Sequence, residues 1–498
     1  MRGVADWGEA LSGWLPLGEG ALWAREAAPR DPKPETAAAL ATYLARLGAP
    51  EAALRAARRL GEEGARARVA GQQAGLFLGP ALVFYKVRDL LAGPGTPVFW
   101  VASQDHDVAE VRFAFWIHGE RLLRFSLPLP EGPPVGRIPF GPYEEAIARA
   151  LLALAPEPTR AREFLDALGG ATSFSEAFAR GLLYFFGERG LVPFDPLAPE
   201  LAPLFREGLK AEIEDPRASV EALEEGRRAL KARGLRPVLG TPKGATLLFL
   251  EGEDGVRRRL FFESGRFTDG VKTYTREDLL ALLDSEPGRL TPAAALRPVL
   301  QDRVLPTAGF WVGPGELAYV AELPPLYRRH GLEPPAVLPR TRALVLEPPV
   351  RRLLERYELE PWAFAEAPEA AFREALARAA LASGRVARAV LEGEAAFEEA
   401  ARALAELDPT LEPALARVRG RLRAEVARFA GKVARARMRR DAVLRRQFER
   451  LSLHLRPGGR LQEFTLPYLY FILRYGEEAL DALFALPPGD RRVIPLDG

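Results

Sequence analysis

The sequence predicts an α/β fold with a parallel-sheet core and a long antiparallel helical coiled-coil arm. Two stretches predict the core: each passes from an apolar strand through a glycine turn into a helix and on to a second apolar strand. The arm follows from a shift, at about residue 368, to nearly uninterrupted Ala, Leu, Arg and Glu.

Taken in order, residues 21 to 65 carry helical spacing, and Arg66 to Ala70 reads as a short strand leading into the loop GQQAGLFLGP. A helix from Pro80 to Leu91 follows, GPGTP closes it, and Pro97 to Ala102 is a buried strand that ends at SQDHD. A crossover of this kind makes the two strands parallel, so Gly71 to Gly75 and Ser103 to Asp107 face one crevice. Residues 110 to 290 alternate short strands and helices, with a hairpin from Ala245 to Phe262 and EGEDG at its turn. The strand-turn-helix pattern then returns as Ala308 to Val312, GPGE, Leu317 to His330 and the strand Ala336 to Pro339. These readings divide the chain into a core over residues 1–367, an arm over 368–455 and a segment over 456–498 that returns to the core.

Within the arm, LDPTLEP at Leu407 to Pro413 separates two helices. Leu411, Leu415, Val418, Leu422, Val426, Phe429 and Val433 step by three or four residues on the second, and Phe372, Leu376, Val386, Val390, Phe397 and Leu404 lie on the first. A 40-residue arm extends on the order of 60 Å, too far to bury one stripe on a compact core, so a homodimer through the arm is expected. The second helix carries thirteen basic against three acidic residues from Arg417 to Arg450. The preceding helix is acidic and no aromatic interleaving supports base stacking, which argues against nucleic acid.

Composition narrows the chemistry. The chain has 69 basic and 67 acidic residues, a balance that marks no global field for nucleic acid or membrane. No apolar run reaches the roughly 18 residues of a membrane span, and the N-terminus does not resemble a secretory signal, so a cytoplasmic protein is expected. Cysteine is absent, which excludes disulfides and cysteine nucleophiles and leaves any thiol chemistry to a substrate. Asn is absent too and Met occurs twice, a pattern of chains selected for heat. Against about 20 Gln at average usage, only Gln72, Gln73, Gln104, Gln301, Gln447 and Gln462 remain. The first four lie beside Gly, His or Asp in segments that read as strand ends, where α/β folds place function. A buried polar group needing both donor and acceptor explains each of them equally well.

Three constellations stand out. The glycines at 71, 75 and 79 permit close backbone approach to a ligand, and Lys86 in the following helix is placed to neutralise an anion; a structural turn and a solvated lysine are the alternatives. Gln104, Asp105, His106 and Asp107 follow directly on an apolar strand. A His between two carboxylates has its pKa raised and shuttles protons; the same set also suits a divalent ion or a capped turn. Near Gln301, the second turn holds Gly313, Gly315 and Glu316, where the Glu caps its helix or binds a cationic amine, and Arg340 emerges on the same edge as a carboxylate or phosphate clamp.

Taken in order, GQQAGLFLGP with Tyr85 and Lys86, PVFWVASQDHD, LRPVLQDRVLPT with VGPGELAY, VLPR, and LHLRPGGRLQE with FILRYG resemble the cysteine-adding family of bacillithiol biosynthesis, from about residue 66 to residue 476. The resemblance implies a Rossmann-like core, a dimerising coiled-coil arm and a bound adenine nucleotide, ATP or ADP. It also implies a ligase joining cysteine to glucosaminyl-malate. The nucleotide is expected at Gly458, Gly459, Arg460 and Gln462. Gln104 stands where the family usually has Glu, so proton transfer passes to Asp105, His106 and Asp107, with Lys86 and Arg340 on anions. The family's serine-proline-asparagine stretch reads Thr291, Pro292, Ala293, and Gly458 replaces the Asn of its late turn. An amine and a free carboxylate do not condense usefully in water, so the carboxyl needs activation, for which ATP is the source. Two other readings fit the residues: a nucleotide-dependent ligase of the class I adenylating type acting on another amino acid, and a non-catalytic dimeric scaffold that binds a nucleotide.

Overall fold

The computed structural model describes residues 30–381, 384–407 and 412–497. The expected helical stretch from residue 21 begins outside them; within them it forms helices Pro34–Arg46 and Glu51–Arg58. The chain divides into two compact units. The first takes the chain up to Trp116, Arg124–Ala343 and Leu466–Arg492, and the second takes Ile117–Leu123, Leu344–Thr465 and the chain from Val493. Residues 368–455 thus lie inside the second unit, and residues 456–498 are shared between the two.

The first unit is built on five parallel strands. β1 (Ala67–Gln72) is followed by α1 (Leu82–Leu91) and β2 (Thr96–Val101), and β3 is Val192–Phe194. After α2 (Arg297–Val304) come β4 (Thr307–Val312), α3 (Pro314–Val320) and β5 (Ala336–Pro339). The order across the sheet is β5-β4-β1-β2-β3, each neighbour parallel. β2 and β4 are buried along their whole length, which explains runs such as PVFWV and AGFWV that are apolar on both faces. Trp100 lies flat on Phe194, with ring centroids 4.9 Å apart and planes at 7°, fixing β2 against β3.

The chain builds outward from β1 in both directions, first through β2 to β3 and later through β4 to β5. The connections after β1 and β4 therefore diverge, leaving a crevice beyond the C-terminal ends of these two strands, where open α/β sheets bind ligands. The helix expected over Leu317 to His330 is two: α3 begins at Pro314, and a second helix runs Pro324–Arg329. Pro324 and Pro325 supply no amide hydrogens, so they end one helix and start the next.

A second, antiparallel sheet follows the order Leu290–Pro292, Ala245–Glu251, Arg257–Glu263, Arg266–Thr268, Thr273–Tyr274. Its central pair is the hairpin expected around EGEDG.

The second unit holds α4 (Pro368–Leu381), α5 (Gly384–Leu407), α6 (Glu412–Arg440) and α7 (Ala442–Leu455). The helices run antiparallel: Arg419 on α6 pairs with Glu398 on α5 at 2.7 Å, and the rings of Phe372 and Phe448 lie 5.5 Å apart. The basic stretch expected as one helix breaks at Asp441, whose carboxylate caps α7 through the amides of Val443 and Leu444. Phe372, Ala375, Leu376 and Ala434 share one core cluster. The larger apolar residues of the expected seam lie elsewhere: Val418 is 42% exposed, Leu422 48% and Phe429 67%, with Leu404 on α5 at 47%. Val426, Val433 and Phe397 are half-buried. Leu411 and the side chains of Leu415, Val386 and Val390 lie outside the described residues. Among the described side chains of α6, the buried ones are Ala430 and Ala434.

Candidate functional site

At the switch point between β1 and β4 a lysine joins the two divergent connections. Lys86 sits in the second turn of α1, fully buried. Its Nζ donates to Gly71 O at 2.6 Å and Gln72 Oε1 at 3.1 Å, and meets Glu316 Oε2 at 2.8 Å. An ammonium has three donors, and all three are used. Glu316 occupies the third position of α3 and also accepts from Gly313 N at 2.8 Å, so it caps its helix and holds a cation at once. The cationic amine that Glu316 binds is the protein's own.

Burial pulls the Lys86 pKa below its ordinary value, Glu316 opposes this, and Arg340 and Arg297 add to the lowering. Three cations thus surround one carboxylate. Arg340 follows β5, is buried, and lies so close to Gly313 that a Cβ there would stand 3.2 Å from its Nε. Arg297, at the start of α2, donates to Tyr319 Oη at 3.0 Å and to Gln301 Oε1 at 3.1 Å.

The glycines divide by role. A Cβ on Gly71 would sit 2.9 Å from Trp100 O, and one on Gly75 would sit 3.0 Å from Gly79 Cα, so both serve the chain's approach to itself. At Gly315 a Cβ would meet nothing within 4 Å. Between them Phe77, Leu78 and Gly79 follow one another with φ of 54°, 65° and 70°. Such a left-handed run in side-chain-bearing residues needs holding, and Phe77 stacks on Phe125 at 5.7 Å and meets Trp116 edge-on at 5.9 Å.

The SQDHD loop is tied to the first loop directly: Gln73 Nε2 donates to Asp105 Oδ2 at 2.7 Å. The other oxygen of Asp105 accepts from the amides of His106 and Asp107 at 2.8 and 3.3 Å. Beneath it, Ser103 Oγ donates to Asp195, which is buried at the end of β3 with its pKa pushed up by desolvation. Asp107 caps a short turn through Ala109 N at 3.0 Å. Gln104 is 6% exposed.

His106 departs from expectation. Its neighbours were to raise its pKa; instead burial and then Arg257 lower it, outweighing Asp105 and Asp107. Arg257 Nη1 lies 3.0 Å from His106 Nδ1, nearer than Asp105 Oδ1 at 3.7 Å. The run of three arginines at 257–259 held the signal for this. In a strand Arg257 and Arg259 share one face, and their guanidiniums flank the ring of Phe249, at 3.9 and 4.6 Å. Asp195 was legible likewise, as a third apolar strand ending in a carboxylate, LVPFD.

Other expected residues have different roles. Gln301 is not at a strand end: it is fully buried inside α2, bonded to Arg297 and to Asp302 at 3.0 Å. Gly458, Gly459, Arg460 and Gln462 belong to the second unit. There Gln462 spends its amide on its own fold, accepting from Val345 N at 2.8 Å and donating to Val345 O and His454 O, each at 2.9 Å. Gly458 and Gly459 have φ of 62° and 79° and, with Arg460, face solvent. Among the described residues no group of three or more His, Asp or Glu side chains is placed to hold a metal ion.

Residues 22–341 match the family description "Bacillithiol biosynthesis BshC, N-terminal Rossmann-like domain", and residues 343–489 match "Bacillithiol biosynthesis BshC, C-terminal coiled-coil domain". A protein of Thermus thermophilus named "Putative cysteine ligase BshC" is 49% identical over 93% of this chain and 94% of its own length. Relatives with the same name from Koribacter versatilis and Geobacillus kaustophilus are 34% and 30% identical, over 90% and 91% of this chain and 86% and 88% of theirs. The Thermus relative fits the heat-selected composition.

Replacing Lys86 by Met should lower unfolding stability by on the order of 3 kcal/mol, because Glu316 loses its cation and Gly71 O its donor. Urea denaturation checks this. An unchanged midpoint in a variant that has lost activity would make Lys86 a reacting group instead of the tie between β1 and β4.

Proposed function

The chain belongs to the bacillithiol-biosynthesis BshC family, and from that premise we propose that it joins L-cysteine, through its carboxyl, to the amine of glucosaminyl-malate in the last step of bacillithiol formation. The observation that carries this is the electropositive crevice at the β1–β4 switch point, with Lys86, Arg297 and Arg340 around one carboxylate and a proton-handling loop tied to its rim. Both substrates bring carboxylates, which such a crevice suits.

The reaction forms a C–N bond at the cysteine carbonyl carbon, breaks the bond from that carbon to its activated oxygen, and releases a proton from the attacking amine. ATP would activate the carboxyl, and the oxygen would leave with the phosphoryl or adenylyl group it had received. Asp105 has both oxygens engaged by Gln73 and two backbone amides, so it shapes the loop. Asp107 uses one oxygen on Ala109 and is exposed, so it is the carboxylate that takes the amine proton.

For the nucleotide, Gln462 no longer suits, since its amide is committed to Val345 and His454. The exposed turn at Gly458 and Gly459 with the Arg460 guanidinium fits a phosphate. On the arm, Val418, Leu422 and Phe429 are spaced by four and seven residues on one exposed face. A second copy is the partner that would bury them. No helix among the described residues is long and apolar enough to cross a membrane. We place the reaction in the cytoplasm, where a free thiol substrate stays reduced.

Deleting the gene in its own host should abolish bacillithiol and accumulate glucosaminyl-malate. Wild-type complementation should restore the thiol, whereas Asp107→Asn should restore it at a rate lower by roughly 10²- to 10⁴-fold. A deletion strain with a normal thiol profile would end the ligase reading.

Calorimetric titration with ADP should show Arg460→Ala binding about tenfold more weakly. Gln462→Ala should leave affinity alone and lower thermal stability; equal ADP binding by wild type and Arg460→Ala would place the nucleotide elsewhere.

Light scattering should find a dimer for the wild type and a monomer for Phe429→Glu. A monomeric wild type, or a variant that stays dimeric, removes the arm from assembly.

A further inference from the structure

We propose that Arg257 is a positioning residue that fixes His106 in the tautomer with its proton on Nε2, so that the ring enters the crevice as a hydrogen-bond donor and not as a base.

A guanidinium carries five N–H donors and no acceptor, so a contact of 3.0 Å between Arg257 Nη1 and His106 Nδ1 requires the lone pair to be on Nδ1. A neutral ring with its lone pair there has its hydrogen on Nε2. Asp105 Oδ1, at 3.7 Å from Nδ1, is too distant to claim a proton at that nitrogen. In a catalytic His–Asp pair the carboxylate sits on Nδ1–H and makes the other nitrogen a base. Here an arginine sits on Nδ1, and the polarity of the ring is reversed.

Arg257 itself has no freedom to do otherwise. It is 8% exposed. Its Nε donates to Thr291 Oγ1 at 2.9 Å and its Nη2 to Pro292 O at 2.8 Å, while its plane lies 3.9 Å from the centroid of Phe249. Two edges and a face are therefore held before His106 is reached. This gives the Thr291–Pro292 stretch a purpose that its position outside the crevice conceals: it aims the guanidinium. The charged groups that act on the ring divide, and the balance falls on the side of the neutral form. Arg257 and Arg259 disfavour the imidazolium, Asp105 and Asp107 favour it, and with burial the first pair prevails.

The consequence for catalysis rests on the ligase reading. When an amine adds to a carbonyl carbon, negative charge develops on the oxygen, and a fixed neutral donor stabilises that oxygen with no proton to lose. His106 supplies the donor, and Asp107 is left to take the proton.

The chain has four histidines, so ¹⁵N-histidine labelling of the full-length protein gives few signals, with His106→Gln identifying the one of interest. In the wild type, His106 should show a protonated Nε2 and a bare Nδ1 across neutral pH, with a midpoint below the ordinary histidine value. In Arg257→Met the midpoint should rise by about one pH unit. Thr291→Val, which keeps the arginine and removes one of its holds, should move it the same way by less. Bacillithiol formation in the complemented deletion strain should fall roughly 10- to 100-fold with Arg257→Met and recover in part with Arg257→Lys.

A wild-type ring protonated on Nδ1 overturns the proposal whether or not any variant folds. So does a midpoint that is the same in wild type, Arg257→Met and Thr291→Val. A shifted midpoint with undiminished thiol formation overturns the catalytic consequence. Failure of the wild type to restore the thiol is a failure of the ligase reading, and the tautomer measurement is untouched by it.

Discussion

Burying the ammonium of Lys86 is the constraint on which the crevice depends. An unpaired charge in that position would be prohibitive, and the group remains only because three acceptors converge on its three hydrogens. Those acceptors come from different parts of the chain. Gly71 O and Gln72 Oε1 close β1, and Glu316 opens α3 beyond β4. The lysine therefore holds together the two connections that the strand order pulls apart, and the crevice has a defined width because a single side chain spans its floor. Glu316 satisfies two demands with one oxygen, Gly313 N and Lys86 Nζ, so the α3 cap and the floor form together. Arg297 and Arg340 add charge that Glu316 alone cannot neutralise, leaving the floor electropositive.

A second chain of bonds sets the rim. Thr291 and Pro292 hold Arg257, Arg257 holds His106, and the loop bearing His106 is fastened through Asp105 to Gln73 and through Ser103 to Asp195. Three separate parts of the first unit thereby fix one five-residue loop: the β1 turn, the end of β3 and the antiparallel sheet. The antiparallel sheet thus has a function that its place in sequence, an insertion between the two strand-turn-helix patterns, does not announce. It carries a guanidinium to the Nδ1 side of the histidine.

What was legible in the sequence follows period and punctuation. Strands β1, β2, β4 and β5 and the hairpin at EGEDG are short apolar or alternating runs bounded by glycine and proline, and such signals are local. The union of Gly71 to Gly75 with Ser103 to Asp107 was legible because a right-handed crossover leaves no other arrangement. The direction of the His106 pKa was not legible. Its sequence neighbours are both carboxylates, whereas what outweighs them is burial together with a guanidinium 151 residues away. The face of the arm was legible only in part, for a similar reason. Large residues at heptad spacing looked like the seam of the hairpin, yet α6 buries Ala430 and Ala434 and leaves Leu422 and Phe429 outside. Spacing reports that a stripe exists and is silent about which partner covers it.

The scarce glutamines now separate by what they hold. Gln72 accepts from Lys86, Gln73 donates to Asp105, Gln301 joins Arg297 to Asp302, Gln447 accepts from Tyr357, and Gln462 bonds both backbone groups of Val345. In Gln301 and Gln462 donor and acceptor are both used within the protein, which is what an amide provides and a carboxylate cannot. Their survival in a heat-selected composition needs no ligand. Gln104 differs. It is nearly buried, it follows the strand that feeds the His106 loop, and among the described residues no protein group bonds its amide. A neutral side chain in this position, beside Asp105 and Asp107, also leaves the loop with one negative charge fewer than a glutamate would. With less negative charge near the ring, Arg257 more easily keeps His106 neutral. The neutral Gln104 and the arginine that suppresses the imidazolium therefore act in the same direction.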